Sequence, residues 1–207
     1  MKTFDQLLRA SGERIGTWSQ IASAEVIDML GAGGFDFTII DCEHGYFGIE
    51  TAEGLMRACD ANGLTPIVRV PSSDRMWIQK ALNAGAAAVV VPGVGSVEEA
   101  RAAIAATRFA PEGTRGACPC VRAAGHFIRD WAAYAARQQG TGAILLIETR
   151  AGVEPLMPSP RSPVSSRCWS DRLICQCHWV TTATIGTPRL SARWHASSLR
   201  RGRIKCR

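Results

Sequence analysis

Two periodicities alternate along the first three quarters of this chain. Short apolar runs, several rich in Val and Ile, are separated by longer stretches in which apolar residues return every three or four positions. Runs of the first kind read as buried strands and stretches of the second as amphipathic helices. Phe4, Leu7 and Leu8 predict a helix over Phe4 to Ala10, and Arg14 to Trp18 predict a strand. Ser23 is placed to cap a helix through Leu30, which Gly31, Gly33 and Gly34 stop. A strand follows from Phe35 to Asp41, then a helix from Glu50 to Ala61 that ends at Asn62-Gly63. Thr65 to Val70 is a strand, Asp74 starts a helix that ends at Gly85, and Ala86 to Val91 is a strand stopped by Pro92. Ser96 caps the next helix, with Glu99 at the capping-box position. A long loop from Arg108 to Phe127 leads to a helix around Asp130 to Arg137 and a strand from Gly142 to Glu148.

Strands and helices in strict alternation, joined by right-handed crossovers, build either an open doubly wound sheet or a closed barrel. The glycines at Gly31 to Gly34 precede a strand instead of following one, so they do not make a dinucleotide fingerprint. The expected fold is therefore α/β, a (β/α)8 TIM-type barrel, incomplete after about residue 156.

Composition changes the picture at that boundary. Residues 1–156 carry 14 Lys and Arg against 17 Asp and Glu, a net −3, whereas residues 157–207 carry 10 against 1, a net +9. Half of the eight Cys and half of the six Trp also fall in the second segment. The net charge of +6 thus describes neither part. No apolar run reaches membrane-spanning length, and the amphipathic opening MKTFDQLLRASGER lacks a secretory core, so a cytoplasmic protein is expected, with no membrane partner.

The candidate chemistry gathers at predicted strand ends. Asp41, Glu43 and His44 fall within four residues where the Phe35–Asp41 strand surfaces, the place where barrels assemble active sites. A polar turn capping the strand is the plain alternative. On the functional reading His44 is an acid/base whose tautomer and basicity are set by Asp41. Arg69 lies next to the end of an apolar strand and needs a partner, as an internal ion pair or as an anion clamp or enolate stabiliser. Glu148 ends the run AILLI with the opposite charge, and suits a hard metal ion, although one carboxylate cannot hold Mg²⁺ or Mn²⁺.

The segments DCEHG, PIVRV, VVVPGVGSVEEA, RFAPEGTRG and IETRAGV, in this order, resemble the HpcH/HpaI aldolase family. The resemblance runs from residue 1 to about 156. It implies a barrel of the phosphoenolpyruvate/pyruvate class. The implied activity is a class II, divalent-metal-dependent lyase (Mg, Mn or Co) that splits a 4-hydroxy-2-oxo acid into pyruvate and an aldehyde. It further implies that His44 is the catalytic acid/base supported by Asp41, that Arg69 stabilises the enolate, and that Glu148 is one of two metal carboxylates. Leu146 departs from relatives that carry Gln there, which bears on substrate contacts. A decarboxylase or acyl-CoA lyase using the same enolate chemistry is the alternative within enzymes. Family members are homo-oligomers through C-terminal elements.

After Pro155-Leu156 the family pattern stops, where it would lead to a GPxDLS-type motif with the second carboxylate. Residues 157–207 hold no sustained periodicity. A disordered basic tail, a metal knuckle of Cys168, Cys175, Cys177 and His178, and nucleic-acid contact through Arg200 to Arg207 are alternatives. None has a matching motif, and no nucleic-acid partner is expected. A basic binding module made of a truncated barrel and its tail is the non-enzymatic reading. With one choice of synonymous codons, Trp169 to Val180 read one base earlier as LVGPFDLSMSLG, the missing motif. The expectation is a frameshifted C-terminal quarter, a half-built metal site, an inactive chain, bare sheet edges and a disordered tail.

Overall fold

A computed structural model describes residues 3–149, 180–182 and 204–206. Its elements are α1 (Phe4–Arg9), β1 (Arg14–Ser19), α2 (Ala24–Ala32), β2 (Phe37–Asp41), α3 (Ile49–Ala61), β3 (Thr65–Arg69) and α4 (Arg75–Ala84). They continue with β4 (Ala88–Val91), α5 (Val97–Ala106), a short 3₁₀ turn at Arg122–Ala124, α6 (Trp131–Gln138), β5 (Gly142–Leu146), β6 (Val180–Thr182) and β7 (Ile204–Cys206). Strands β1 to β5 pair in parallel and in chain order, the arrangement of consecutive units of a TIM-type barrel. The predicted helix starts hold: Ser23, Asp74 and Ser96 each accept a backbone N–H from the first turn of α2, α4 and α5. Glu99 reaches back to the Gly95 N–H, one residue before the cap, so the capping box is shifted by one position. Gly85 closes α4 at φ 110°, a left-handed conformation that favours glycine.

Strands β2 to β5 are buried on both faces, which explains why they read as continuous apolar runs. On one face Ile40, Val68, Val89, Val91 and Leu145 pack against the helices through Ile27, Leu55, Met56, Ile78 and Leu82. On the other, Phe37, Ile39, Ile67, Val90, Ile144 and Leu146 meet Phe4 and Leu7 of α1. Alternate residues of each strand therefore belong to different cores. The second face is the barrel interior, and α1 covers it. An added Cβ on Gly142 would collide with the Phe4 ring, so this position needs glycine for α1 to seat.

Beyond these five strands, β6 pairs antiparallel with β5 at Ile144 to Leu146, and β7 pairs in parallel with β1 at Arg14 to Gly16. The expected bare edges are thus occupied at these positions, because unpaired backbone groups at an edge accept any strand that reaches them. The antiparallel β6 differs from an all-parallel barrel. Apart from β6 and β7, the tail expected to be disordered, and with it the Cys168–His178 knuckle, lies outside the described residues. No helix among the described residues is long and apolar enough to cross a membrane.

Candidate functional site

Strand parity decides which polar groups share the barrel interior. Trp18 packs on the inner cluster, and Ile39, Ile67 and Leu146 belong to it. Two residues further along each strand come Gln20, Asp41, Arg69 and Glu148, all at the C-terminal ends. Register places Asp41 directly beside Arg69 and Ser19 beside Ile40, so Gln20, Asp41 and Arg69 form a row across three strands.

Asp41 is fully buried and Arg69 is 6% exposed. The guanidinium grips the carboxylate with two parallel hydrogen bonds, Nε to Oδ1 at 2.8 Å and Nη2 to Oδ2 at 2.6 Å. Gln20 Nε2 donates to Oδ2 at 2.8 Å, and the backbone N–H groups of Glu43 and His44 donate to Oδ1 at 3.1 and 3.2 Å. Burial by itself would push the Asp41 carboxyl up. The hydrogen bonds from Arg69, Gln20 and the His44 backbone outweigh it and hold the carboxyl down at about 2. Arg69 is likewise opposed by burial, yet raised above its ordinary value by Asp41 first and then by the fields of Glu43 and Glu148. Its guanidinium carbon stands 4.5 Å from the centre of the Trp18 ring. Glu43 Oε2 lies 3.0 Å from Arg69 Nη1 and makes no hydrogen bond, so this contact is an ion pair without hydrogen-bond alignment.

The four expected residues stand in different relations. Asp41 and Arg69 touch directly, so the internal ion pair is present. Glu148 is exposed, accepts the Gly93 N–H at 3.0 Å, and reaches Arg69 through its field. His44 joins through its backbone, while its side chain is 63% exposed with Nε2 3.9 Å from Glu43 Oε2. The expectation that Asp41 orients the His44 imidazole is corrected here. The Asp41 oxygens are taken by Arg69, Gln20 and two backbone N–H groups, and the carboxylate orients the turn carrying His44 instead of its ring. That turn is tight: the Gly45 N–H donates to the Asp41 carbonyl at 3.1 Å, and a Cβ on Gly45 would strike that oxygen.

Sequence reasoning missed Gln20, Trp18 and the pairing role of Glu43. Gln20 carried the same signal as the others, a polar side chain just past a strand end. Its place beside Asp41 depends on the register of β1 on β2, which the sequence does not show. Among the described residues no three His, Cys, Asp or Glu side chains converge as metal ligands. Glu148 offers one carboxylate, and Asp41 and Glu43 are occupied by Arg69, so this set alone does not fit a hard divalent cation.

Residues 14–157 match the family model described as HpcH/HpaI aldolase/citrate lyase. The chain is 34% identical over 151 residues to 2-dehydro-3,6-dideoxy-6-sulfogluconate aldolase of Pseudomonas putida, covering 72% of this chain and 58% of the relative. It is 38% identical over 120 residues to hydroxypyruvate/pyruvate aldolase of Sagittula stellata, covering 58% of this chain and 47% of that one. Among solved structures, an HpcH/HpaI aldolase/citrate lyase family protein from Burkholderia cenocepacia superposes with a TM-score of 0.66 at 29% identity, over 73% of this chain and 61% of the other. This chain therefore spans only about half to three-fifths of the length of these relatives. The family model spans residues 14–157, well over half of the chain, and a solved family member shares the fold, so this chain belongs to the HpcH/HpaI aldolase/citrate lyase family.

Proposed function

We propose that the site is that of a carbon–carbon lyase cleaving a 4-hydroxy-2-oxo acid to pyruvate and an aldehyde, and that the chain as written does not complete it. The observation carrying this reading is the clamped Arg69. Two of its N–H groups are spent on Asp41, and Trp18 stacks on the guanidinium. The cation is thereby fixed in place, with N–H groups left over for an oxyanion. Such preorganised donors lower the cost of charge that develops in a transition state. His44 is exposed at the same strand end and can take the proton of the 4-hydroxyl group. The electrons of the broken C3–C4 bond then form an enolate, stabilised by Arg69, the aldehyde departs, and the proton taken up by His44 returns, directly or through solvent, to C3 to give pyruvate.

Glu148 is the residue of this chain that would hold a divalent cation, and the second carboxylate, from the family's GPxDLS-type motif, is absent from this sequence as written. Such an ion, when bound, supplies Lewis-acid polarisation of the 2-oxo acid. The family match stops at residue 157, where the charge of the chain reverses, and this supports a frameshift near that point. Named relatives are aldolases, which favours this reading over a decarboxylase or an acyl-CoA lyase.

The test compares the present chain with one whose reading frame is restored near codon 156 and continued to the family's full length. Pyruvate release from a 4-hydroxy-2-oxo acid is followed with added Mg²⁺, Mn²⁺ or Co²⁺. The expected result is activity in the restored protein, abolished by a chelator and cut about 10²- to 10³-fold by Arg69→Ala. The present chain should be silent. Equal rates in the two proteins would refute the frameshift account, and silence in both would refute the aldolase reading.

A further inference from the structure

Away from the strand ends, reactive chemistry concentrates in the connection between α5 and α6. Cys118 and Cys120 are exposed and free there, separated only by Pro119. The turn that carries them is tied down on both flanks. Upstream, Arg115 is buried and donates to Asn83 and Gln138, each at 2.9 Å. The Gly116 N–H donates to Gln79 Oε1, also at 2.9 Å. Downstream, Arg122 bonds the Ala84 carbonyl at 2.7 Å and pairs with Asp60. The Pro119 carbonyl itself accepts the Ile128 N–H at 3.2 Å. Both thiols are therefore presented from one anchored backbone. The other two described cysteines, Cys42 and Cys59, are buried. Burial first, and then nearby carboxylates, pushes their thiols up to about 11 and about 12. Among the described residues, thiolate chemistry falls to the exposed pair.

We propose that Cys118 and Cys120 form a two-coordinate site for a thiophilic d¹⁰ cation of the Cu(I) type. Residues i and i+2 lie at most about 7 Å apart at Cα, so two sulfurs can approach one ion from opposite sides. Thiolates select soft ions of this class. Within the described residues the site offers two sulfur ligands, the number that satisfies a linear d¹⁰ cation. Binding is balanced without electron transfer: both S–H bonds break, two protons pass to solvent, and the cation bonds both sulfurs. A bridged dithiolate also avoids drawing the sulfurs to the roughly 2.05 Å of a disulfide across a single proline.

The test is an anaerobic Cu(I) titration of the reduced full-length chain against a chromophoric chelator, repeated for Cys118→Ser and Cys120→Ser. The chain has eight cysteines, so the site is read from the difference between native and variant titrations. Chelation requires both sulfurs, and either variant should weaken the same ion by about 10²- to 10⁴-fold, the gain a second tethered ligand gives. In the native protein, Cu(I) should also protect Cys118 and Cys120 together from alkylation, read by peptide mass spectrometry. Unchanged affinity in either variant, or protection of one thiol without the other, overturns the proposal. A purified pair locked as a disulfide that gains no Cu(I) site on reduction overturns it as well.

Discussion

Removing both charges of the Asp41–Arg69 pair should cost less than the two single removals added together. Asp41→Asn keeps the side-chain shape, but turns one oxygen into an NH₂ group facing the Arg69 Nη2 and Gln20 Nε2 donors. Arg69 then remains buried with Glu43 as its nearest anion, at 3.0 Å. Breaking one partner of a buried pair costs about 3–5 kcal/mol. Arg69→Met leaves Asp41 buried and ionised, held by Gln20 and two backbone N–H groups, and should cost a similar amount. The double variant removes both charges, so its cost should fall short of the sum by about 2–3 kcal/mol.

Part of this energy can be read from pH alone. Asp41 sits at about 2 in the fold against an ordinary 3.8. A depressed folded value means that the stabilisation is complete above about pH 4 and is lost as pH falls toward 2. The shift corresponds to about 2 kcal/mol. Urea titrations of the native protein, both single variants and the double variant at neutral pH give the cycle. With m-values of about 1–3 kcal/mol/M, each single variant should lower the midpoint by roughly 1–5 M. Additive costs, with a coupling below about 0.5 kcal/mol, would refute the reasoning, as would a native protein whose stability is flat from pH 5 to 2.

Three other outcomes are expected. Gly45→Ala drives a Cβ into the Asp41 carbonyl and should destabilise by about 1–3 kcal/mol, measured by thermal unfolding. Gly142→Ala should displace Phe4 from the barrel interior, and loss of hydrogen-exchange protection over Phe4–Arg9 without loss over β3 would show it. At pH 8, alkylation followed by peptide mass spectrometry should find Cys118 and Cys120 modified well before Cys42 and Cys59, whose thiols ionise only near pH 11 and 12; equal rates would contradict their burial.

Local rules carried most of the fold into the sequence. Ser23, Asp74, Ser96 and Asp130 cap helices because a side-chain oxygen can meet a free N–H within its own turn, which needs no distant partner. The strands Phe37–Asp41 and Gly142–Leu146 were legible because a strand buried on both faces has to be apolar throughout. The ends of those strands pointed to Asp41, His44, Arg69 and Glu148 for the same reason, since charge after an apolar run marks where the chain surfaces. Pairing was decided only by tertiary structure. Asp41 has two candidate partners in the sequence, the His44 ring three residues away and Arg69 twenty-eight residues away. The register of β2 on β3 awards its carboxylate to Arg69, because that register sets two side chains of the same parity side by side in the barrel interior. Gln20 and Trp18 became part of the site through the neighbouring register of β1 on β2. The sequence fixes which side chains reach the interior end of the barrel, but contact among them depends on strand order and register, which are set by the packing of the whole sheet.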